Sequence, residues 1–167
     1  MSDAVKKPKV LWKAEELAQR GHAFSQALNP GSLFFGKSLS RLCGLERAHV
    51  SLARVPPGKD SFAYHAHLVE EEWVYVLSGQ GIAEIDGEAH VVGPGDFMGF
   101  AAPSVPHLLQ NRGAEDLVYL MGGESCPVDV IEYPHLGKRY VLVKTPTGTD
   151  FHELGPAERL FGRKQGA

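Results

Sequence analysis

From Ala48 to Met121 the chain is a series of short β-prone runs, most of them closed by glycine, proline or aspartate. Ala48 to Val55 alternates, with Val50 and Leu52 on one face, and Pro56-Pro57-Gly58 ends it. Ser61 to Leu68, Glu72 to Leu77, Ile82 to Ile85, Ala89 to Val92, Phe97 to Phe100, Pro106 to Asn111 and Leu117 to Met121 follow, separated by turn residues. Asp86-Gly87 is the sharpest of these turns, since both central positions of a two-residue hairpin need positive φ. No helical run intervenes. Such spacing predicts an all-β fold, an antiparallel sandwich or barrel.

The flanks have a different character. Residues 1–45 read as an N-terminal arm that packs on the barrel or on a partner subunit. Within it Lys13 to Arg20 is rich in helix formers, with Gly21 as a stop, and Asn29-Pro30-Gly31 marks a turn. Ser32 to Cys43 reads as an irregular strand anchored by Leu33, Phe34 and Phe35, and the arm shows no chemistry of its own. Residues 46–122 form the expected core. Residues 123–167 form a C-terminal extension, in which Val128 to Ile131 and Tyr140 to Lys144 are extended and Ala157 to Phe161 forms a helical turn.

The chain has 167 residues, enough for one domain with one sizeable core. A net charge of -3 without a basic run excludes the usual electrostatic footprint for nucleic acid or an anionic membrane. No apolar stretch reaches spanning length, and the charged N-terminus lacks the features of a signal peptide. A soluble, cytoplasmic protein is therefore expected. Cys43 and Cys126 are far apart and read as free, structural thiols.

Chemistry concentrates in His65-Ala66-His67-Leu68-Val69-Glu70-Glu71-Glu72. Strand side chains alternate with period two, so His65 and His67 point the same way. On the next strand Glu72 shares a face with Val74 and Val76, while Glu71 points with Trp73, Tyr75 and Leu77, and Glu70 lies in the turn. Register thus selects Glu72, unless a bulge exchanges it for Glu71. His107 arrives later, after the Pro103 to Pro106 loop. Alone, each feature is ordinary: a histidine pair on a strand is usually packing, and a glutamate triplet is usually solvated. Together they place three imidazoles and a carboxylate in an apolar barrel, where they must be paired, protonated or metallated. Such a set suits one divalent transition metal (Mn, Fe, Ni, Cu or Zn) better than Ca or Mg. An octahedral ion held this way keeps two positions open for water, dioxygen or a chelating substrate. His49, His90, His135 and His152 read mostly as surface residues, and Arg54, Lys59 and Arg112 as solvated cations.

Gly58-x6-His65-x-His67-x4-Glu72-x6-Gly79 resembles the first signature of the cupin superfamily, with one extra residue before the first histidine. Gly95-Asp96 through Pro106-His107-x3-Asn111 resembles the second, with a slightly longer loop and Ser104 where glycine is common. The resemblance covers roughly residues 46 to 122 and is that of a small single-domain bacterial-type cupin. It implies a double-stranded β-helix (jelly-roll barrel), metal ligands at His65, His67, Glu72 and His107, and a structural role for Asn111. It also implies a homodimer, assisted by the arm. The expected function is a mononuclear metal-dependent enzyme acting on a small oxygen-rich metabolite, by isomerase or dioxygenase-type chemistry. The alternative is a binding or sensing module that holds a small ligand on the same metal without turnover. Small cupins of this kind are often taken for sugar-phosphate isomerases, yet no glycine-rich phosphate loop or fixed arginine pair is evident here.

Overall fold

The structure, a computed structural model, describes residues 8–156. Its elements in order are α1 (Ala14–Ala18), β1 (His22–Phe24), β2 (Phe34–Ser38), α2 (Leu39–Cys43), β3 (Ala48–Val55), β4 (Ala66–His67), β5 (Glu72–Ser78), β6 (Gly81–Ile85) and β7 (Glu88–Val92). They continue with β8 (Phe97–Phe100), β9 (His107–Gln110), β10 (Leu117–Glu124), β11 (Val128–Tyr133), a 3-10 turn (Pro134–Leu136), β12 (Lys138–Thr145) and β13 (Gly148–Glu153). The expected tail turn around Ala157 to Phe161 lies outside the described residues.

The strands form two facing walls. One is a six-stranded sheet in the order β1-β2-β3-β10-β5-β8, antiparallel throughout. The other is assembled from the sheets β7-β6-β9 and β13-β12-β11-β4, which meet along residues 60–67 through the Asp60–Gln110 and His65–His107 bridges. Alternate residues of each strand turn inward. Ala53, Val55, Val74, Val76, Ala83, Met98, Leu109 and Leu117 fill the space between the walls, which is the double-stranded β-helix expected. The Asp86-Gly87 hairpin adopts φ of 50° and 80°, as its type requires.

The arm departs from expectation in two ways. Ser32 to Cys43 is not one irregular strand: β2 ends at Ser38, whose hydroxyl accepts the Arg41 amide at 3.4 Å and caps α2. Gly44, left-handed at φ 72°, then stops the helix. The cap and the stop are both legible signals that short-range β propensity masks. The arm also does more than cover the barrel, because β2 pairs with β3 and extends the sheet.

A second correction concerns Ser61 to Leu68, where regular pairing is confined to Ala66–His67. The backbone upstream makes only isolated bonds to β9, at Ser61 and His65, and arm side chains hold the residues between. Ser32 Oγ donates to the Ser61 carbonyl at 2.6 Å and Asn29 Nδ2 to the Phe62 carbonyl at 2.7 Å, while Gln26 Oε1 accepts the Ala63 amide. Residues past 122 are likewise built into the wall: β10 runs on to Glu124, and β11 pairs directly with β4.

Asn111 closes the barrel beneath β9. It is fully buried, its amide donates to the Val55 and Glu115 carbonyls, both at 2.7 Å, and its carbonyl accepts the Gly113 amide at 3.0 Å. Removing it orphans three backbone groups, each at a cost of about 1–3 kcal/mol. We therefore expect Asn111→Ala to lose about 3 kcal/mol or more in urea unfolding. A loss below about 1 kcal/mol would show that water replaces this side chain.

Candidate metal centre

β4 and the residue before it carry His65 and His67, β5 begins with Glu72, and β9 begins with His107. The backbones of His65 and His107 exchange both hydrogen bonds, at 3.1 and 2.8 Å, so their side chains emerge together on the inner face. Glu72 enters from the opposite wall. It pairs with Phe100 of β8 and Gly123 of β10, and the register shift of β10 lies at its other end, between Val118 and Tyr119. Glu72 therefore keeps the inward register, and Glu71 is exposed. Close approach at this point needs Gly123, where a Cβ would lie 2.2 Å from the Glu71 carbonyl oxygen.

The side chains converge as the spacing predicts. Glu72 Oε2 lies 4.0 Å from His65 Nε2, 3.3 Å from His67 Nε2 and 3.4 Å from His107 Nε2. Donor atoms of His65, His67 and Glu72 fall within 4.8 Å of one another, and His107 joins them across Glu72. Ligands bonded to one ion at ~2.1 Å sit ~3.0–3.4 Å apart, so only small adjustments are needed to close around a cation. All three imidazoles turn the same edge inward, because each Nδ1 already has an acceptor. His65 Nδ1 meets the Ala63 carbonyl at 2.8 Å, His107 Nδ1 the Val105 carbonyl at 3.1 Å, and His67 Nδ1 the Asp129 carboxylate. Those acceptors favour a ring proton on Nδ1 and turn each Nε2 toward Glu72, where it can bind a cation.

Packing fixes the rings further. Phe100 stacks on His107 at 3.7 Å between centroids, with planes 8° apart, and Phe62 meets His65 edge-on at 5.9 Å. Ser104, standing where the resemblance led us to expect glycine, uses its hydroxyl to accept the His67 amide at 2.8 Å.

The electrostatics follow from burial and pairing. Burial, then the neighbouring His107, drive the His65 pKa down to about 3, so that ring is neutral. Burial pushes the Glu72 carboxyl up, but the His107 hydrogen bond and the adjacent imidazoles outweigh it and hold Glu72 well below the usual range. For His67 burial acts downward, and the Asp129 hydrogen bond with the Glu72 charge reverses it, leaving the pKa raised. The Asp129 carboxyl is pushed up by burial and pulled lower overall by His67.

Asp129 and Glu70 are the residues that reasoning from sequence missed. Asp129 is fully buried on β11, and its other oxygen accepts the amides of Val69 at 3.0 Å, Glu70 at 3.4 Å and Val130 at 2.7 Å. The available signal was an aspartate inside the β-prone run Val128 to Ile131, past the assumed end of the barrel. Glu70 does lie in the turn, but its carboxylate is buried and accepts the Cys126 amide at 2.9 Å and Lys144 Nζ at 2.8 Å. His67, Glu70 and Asp129 also fall within metal-binding reach of each other. Both Asp129 oxygens and Glu70 Oε1 are already engaged, so this group reads as support for His67 rather than a second site.

Other residues weighed from sequence lie elsewhere. His49 Nδ1 approaches the Glu124 carbonyl, His90 and His152 are exposed, and His135 stacks on Tyr64 at 4.2 Å. Arg54 pairs with Asp116 and Arg112 with Asp60, at 2.7 and 2.6 Å. A cavity of about 30 Å³ adjoins the cluster, bounded by Ser61, His65, Glu72, His107, Tyr119 and neighbouring apolar side chains.

Comparison with known proteins agrees with this geometry. The profile of the cupin domain family matches residues 51–123. An uncharacterized protein of Methanocaldococcus jannaschii is 36% identical over 61 residues, which are 36% of this chain and 47% of that protein, so the match spans about half the length of that curated relative. The solved structure of a sugar phosphate isomerase of the cupin superfamily from Silicibacter pomeroyi aligns with TM-score 0.68 and 26% identity, over 80% of this chain and 85% of the other. A structure from Acidithiobacillus ferrooxidans, described as a candidate sugar phosphate isomerase, aligns with TM-score 0.82 and 35% identity, over 92% of this chain and 98% of that one. With its signatures, its barrel and a relative matched along almost its whole length, the chain belongs to the cupin superfamily.

Proposed function

We propose that this protein is a mononuclear metal-dependent enzyme acting on a small oxygen-rich metabolite, with His65, His67, Glu72 and His107 as ligands of one divalent transition metal. The observation that carries this reading is the set of three imidazoles, each with Nδ1 engaged and Nε2 turned toward Glu72. Three nitrogens and one oxygen suit Mn, Fe, Ni, Cu or Zn. When bound, such an ion supplies Lewis-acid polarisation of a carbonyl or hydroxyl, or redox chemistry, at its open positions. The protein's part is to orient the imidazoles, to stabilise His67 through Asp129, and to present an apolar wall that limits water. The names of the two aligned structures favour isomerisation over oxidation. Among the described residues no lysine or arginine lines the cavity, so the reading extends to a polyoxygenated substrate and not to its phosphate. The barrel without turnover, as a cytoplasmic ligand-holding module, is the alternative, and an activity screen separates the two.

Natively purified protein should carry about one equivalent of transition metal per chain, and the pair His65→Ala with His107→Ala should carry none. Asp129→Asn should weaken metal binding about 10–100-fold, because an amide nitrogen facing Nδ1 shifts the ring proton to Nε2. Metal analysis and competition titration check both. Full occupancy in the double variant would refute the ligand assignment. Sugars and hydroxy acids should then be screened for isomerisation or oxygen uptake with the loaded protein, and turnover that survives complete metal removal would contradict metal catalysis.

The outer face of the six-stranded sheet supports a homodimer. Phe97, Leu77 and Tyr75 stand 64%, 42% and 39% exposed on adjoining strands β8 and β5, an unusual apolar surface for a solvated sheet. Light scattering should give twice the 18.2 kDa chain mass, and Leu77→Lys with Phe97→Glu should return it to one chain. An unchanged dimer in that variant would place the interface elsewhere.

A further inference from the structure

Tyr119 lies on β10 at 1% exposure, and its hydroxyl has no hydrogen-bond partner among the described residues. A buried hydroxyl left unpaired costs about 1–3 kcal/mol, and native proteins keep few of them. The position of this one is informative. It borders the cavity of about 30 Å³ whose other polar walls are Ser61, His65, Glu72 and His107. A cavity needs about 10–15 Å³ to hold one water, so this one has room for a water-sized group. Ser61 Oγ accepts the Leu109 amide at 3.3 Å, which leaves the serine proton free to donate as well. The cavity thus sets the neighbouring hydroxyls of Tyr119 and Ser61 opposite the imidazole and carboxylate cluster, and the tyrosine proton is not committed to a protein hydrogen bond there.

We propose that this cavity is a subsite for one hydrogen-bond-accepting atom of a small anionic ligand bound at the metal, with Tyr119 as its donor. The inference rests on the metal reading above. Burial keeps the phenol in its protonated form, so it acts as a donor and not as a base. The accepting atom would be a carboxylate, enediolate or hydroxide oxygen, the kind of group that carries charge when an oxygen-rich substrate binds a cation. Tyr119 is then a residue that discriminates among ligands by the charge on the atom they place in this space, since a hydrogen bond to an ionised acceptor is about twice as strong as one to a neutral acceptor.

Tyr119→Phe removes only the hydroxyl. The test loads wild type and variant with Co(II), measures Co(II) affinity by competition, and titrates azide as the anionic probe while following the visible bands of the metal. Melting temperatures of both metal-free proteins are recorded. Expected are equal Co(II) affinities, a metal-free variant as stable as wild type or more so, and azide binding weakened about tenfold. Azide affinities equal within about twofold, with Co(II) bound in both, would overturn the role of Tyr119 and leave the metal reading intact. A metal-free variant that melts several degrees lower or fails to fold would show that the hydroxyl has a structural partner, and would also overturn it. Wild type that takes up no Co(II) would remove the metal reading and this inference with it.

Discussion

The two backbone hydrogen bonds exchanged by His65 and His107 hold the site together. They stitch the β7-β6-β9 sheet to the sheet that contains β4 and β11, beside the Asp60–Gln110 bridge and the Ser61 amide bond to the Leu109 carbonyl. The same pairing sets the two imidazoles side by side, with ring centroids 4.7 Å apart. One contact therefore serves both fold and chemistry. His67 follows two residues later on the same face, and Glu72 comes from the opposing wall, so the cluster spans the narrow interior instead of lying on one surface.

Support for this stitch comes from outside the barrel core. Arm side chains Ser32, Asn29 and Gln26 bond the backbone of residues 61–63, alongside the Ser61 amide bond to Leu109 of β9. On the other side Asp129 from β11 accepts amides at the β4–β5 turn while gripping His67. An aspartate so thoroughly buried is stable only because its charge is met by an imidazole and three backbone donors. Segments that looked like decoration at either end of the chain thus act as the two clamps on the ligand-bearing residues.

Much of this was legible in the sequence, for identifiable reasons. Period-two alternation placed His65 with His67 and chose Glu72 over Glu71, because one face of each strand must be apolar and a one-residue slip would invert it. The Asp86-Gly87 hairpin and the Pro106-His107 turn were equally plain. What escaped was long-range pairing. Ser61 to Leu68 reads as a strand by composition, yet regular pairing is confined to Ala66–His67, and residues 61–63 lean on side chains far away in the chain, at Gln26, Asn29 and Ser32. Asp129 escaped because the wall does not end where the signatures end, and Ser38 with Gly44 escaped because capping signals were outweighed by the phenylalanines before them. The buried hydroxyl of Tyr119 is invisible in sequence, where it is one tyrosine among five.

The central claim is that His65, His67, Glu72 and His107 bind one metal ion together. Anomalous diffraction from a crystal of the metal-loaded protein tests it most directly. The account predicts a single peak per chain, about 2.0–2.2 Å from the three Nε2 atoms and a Glu72 carboxylate oxygen. A peak lodged instead between Glu70 and Asp129, or on the exposed histidines with none at this cluster, would contradict it.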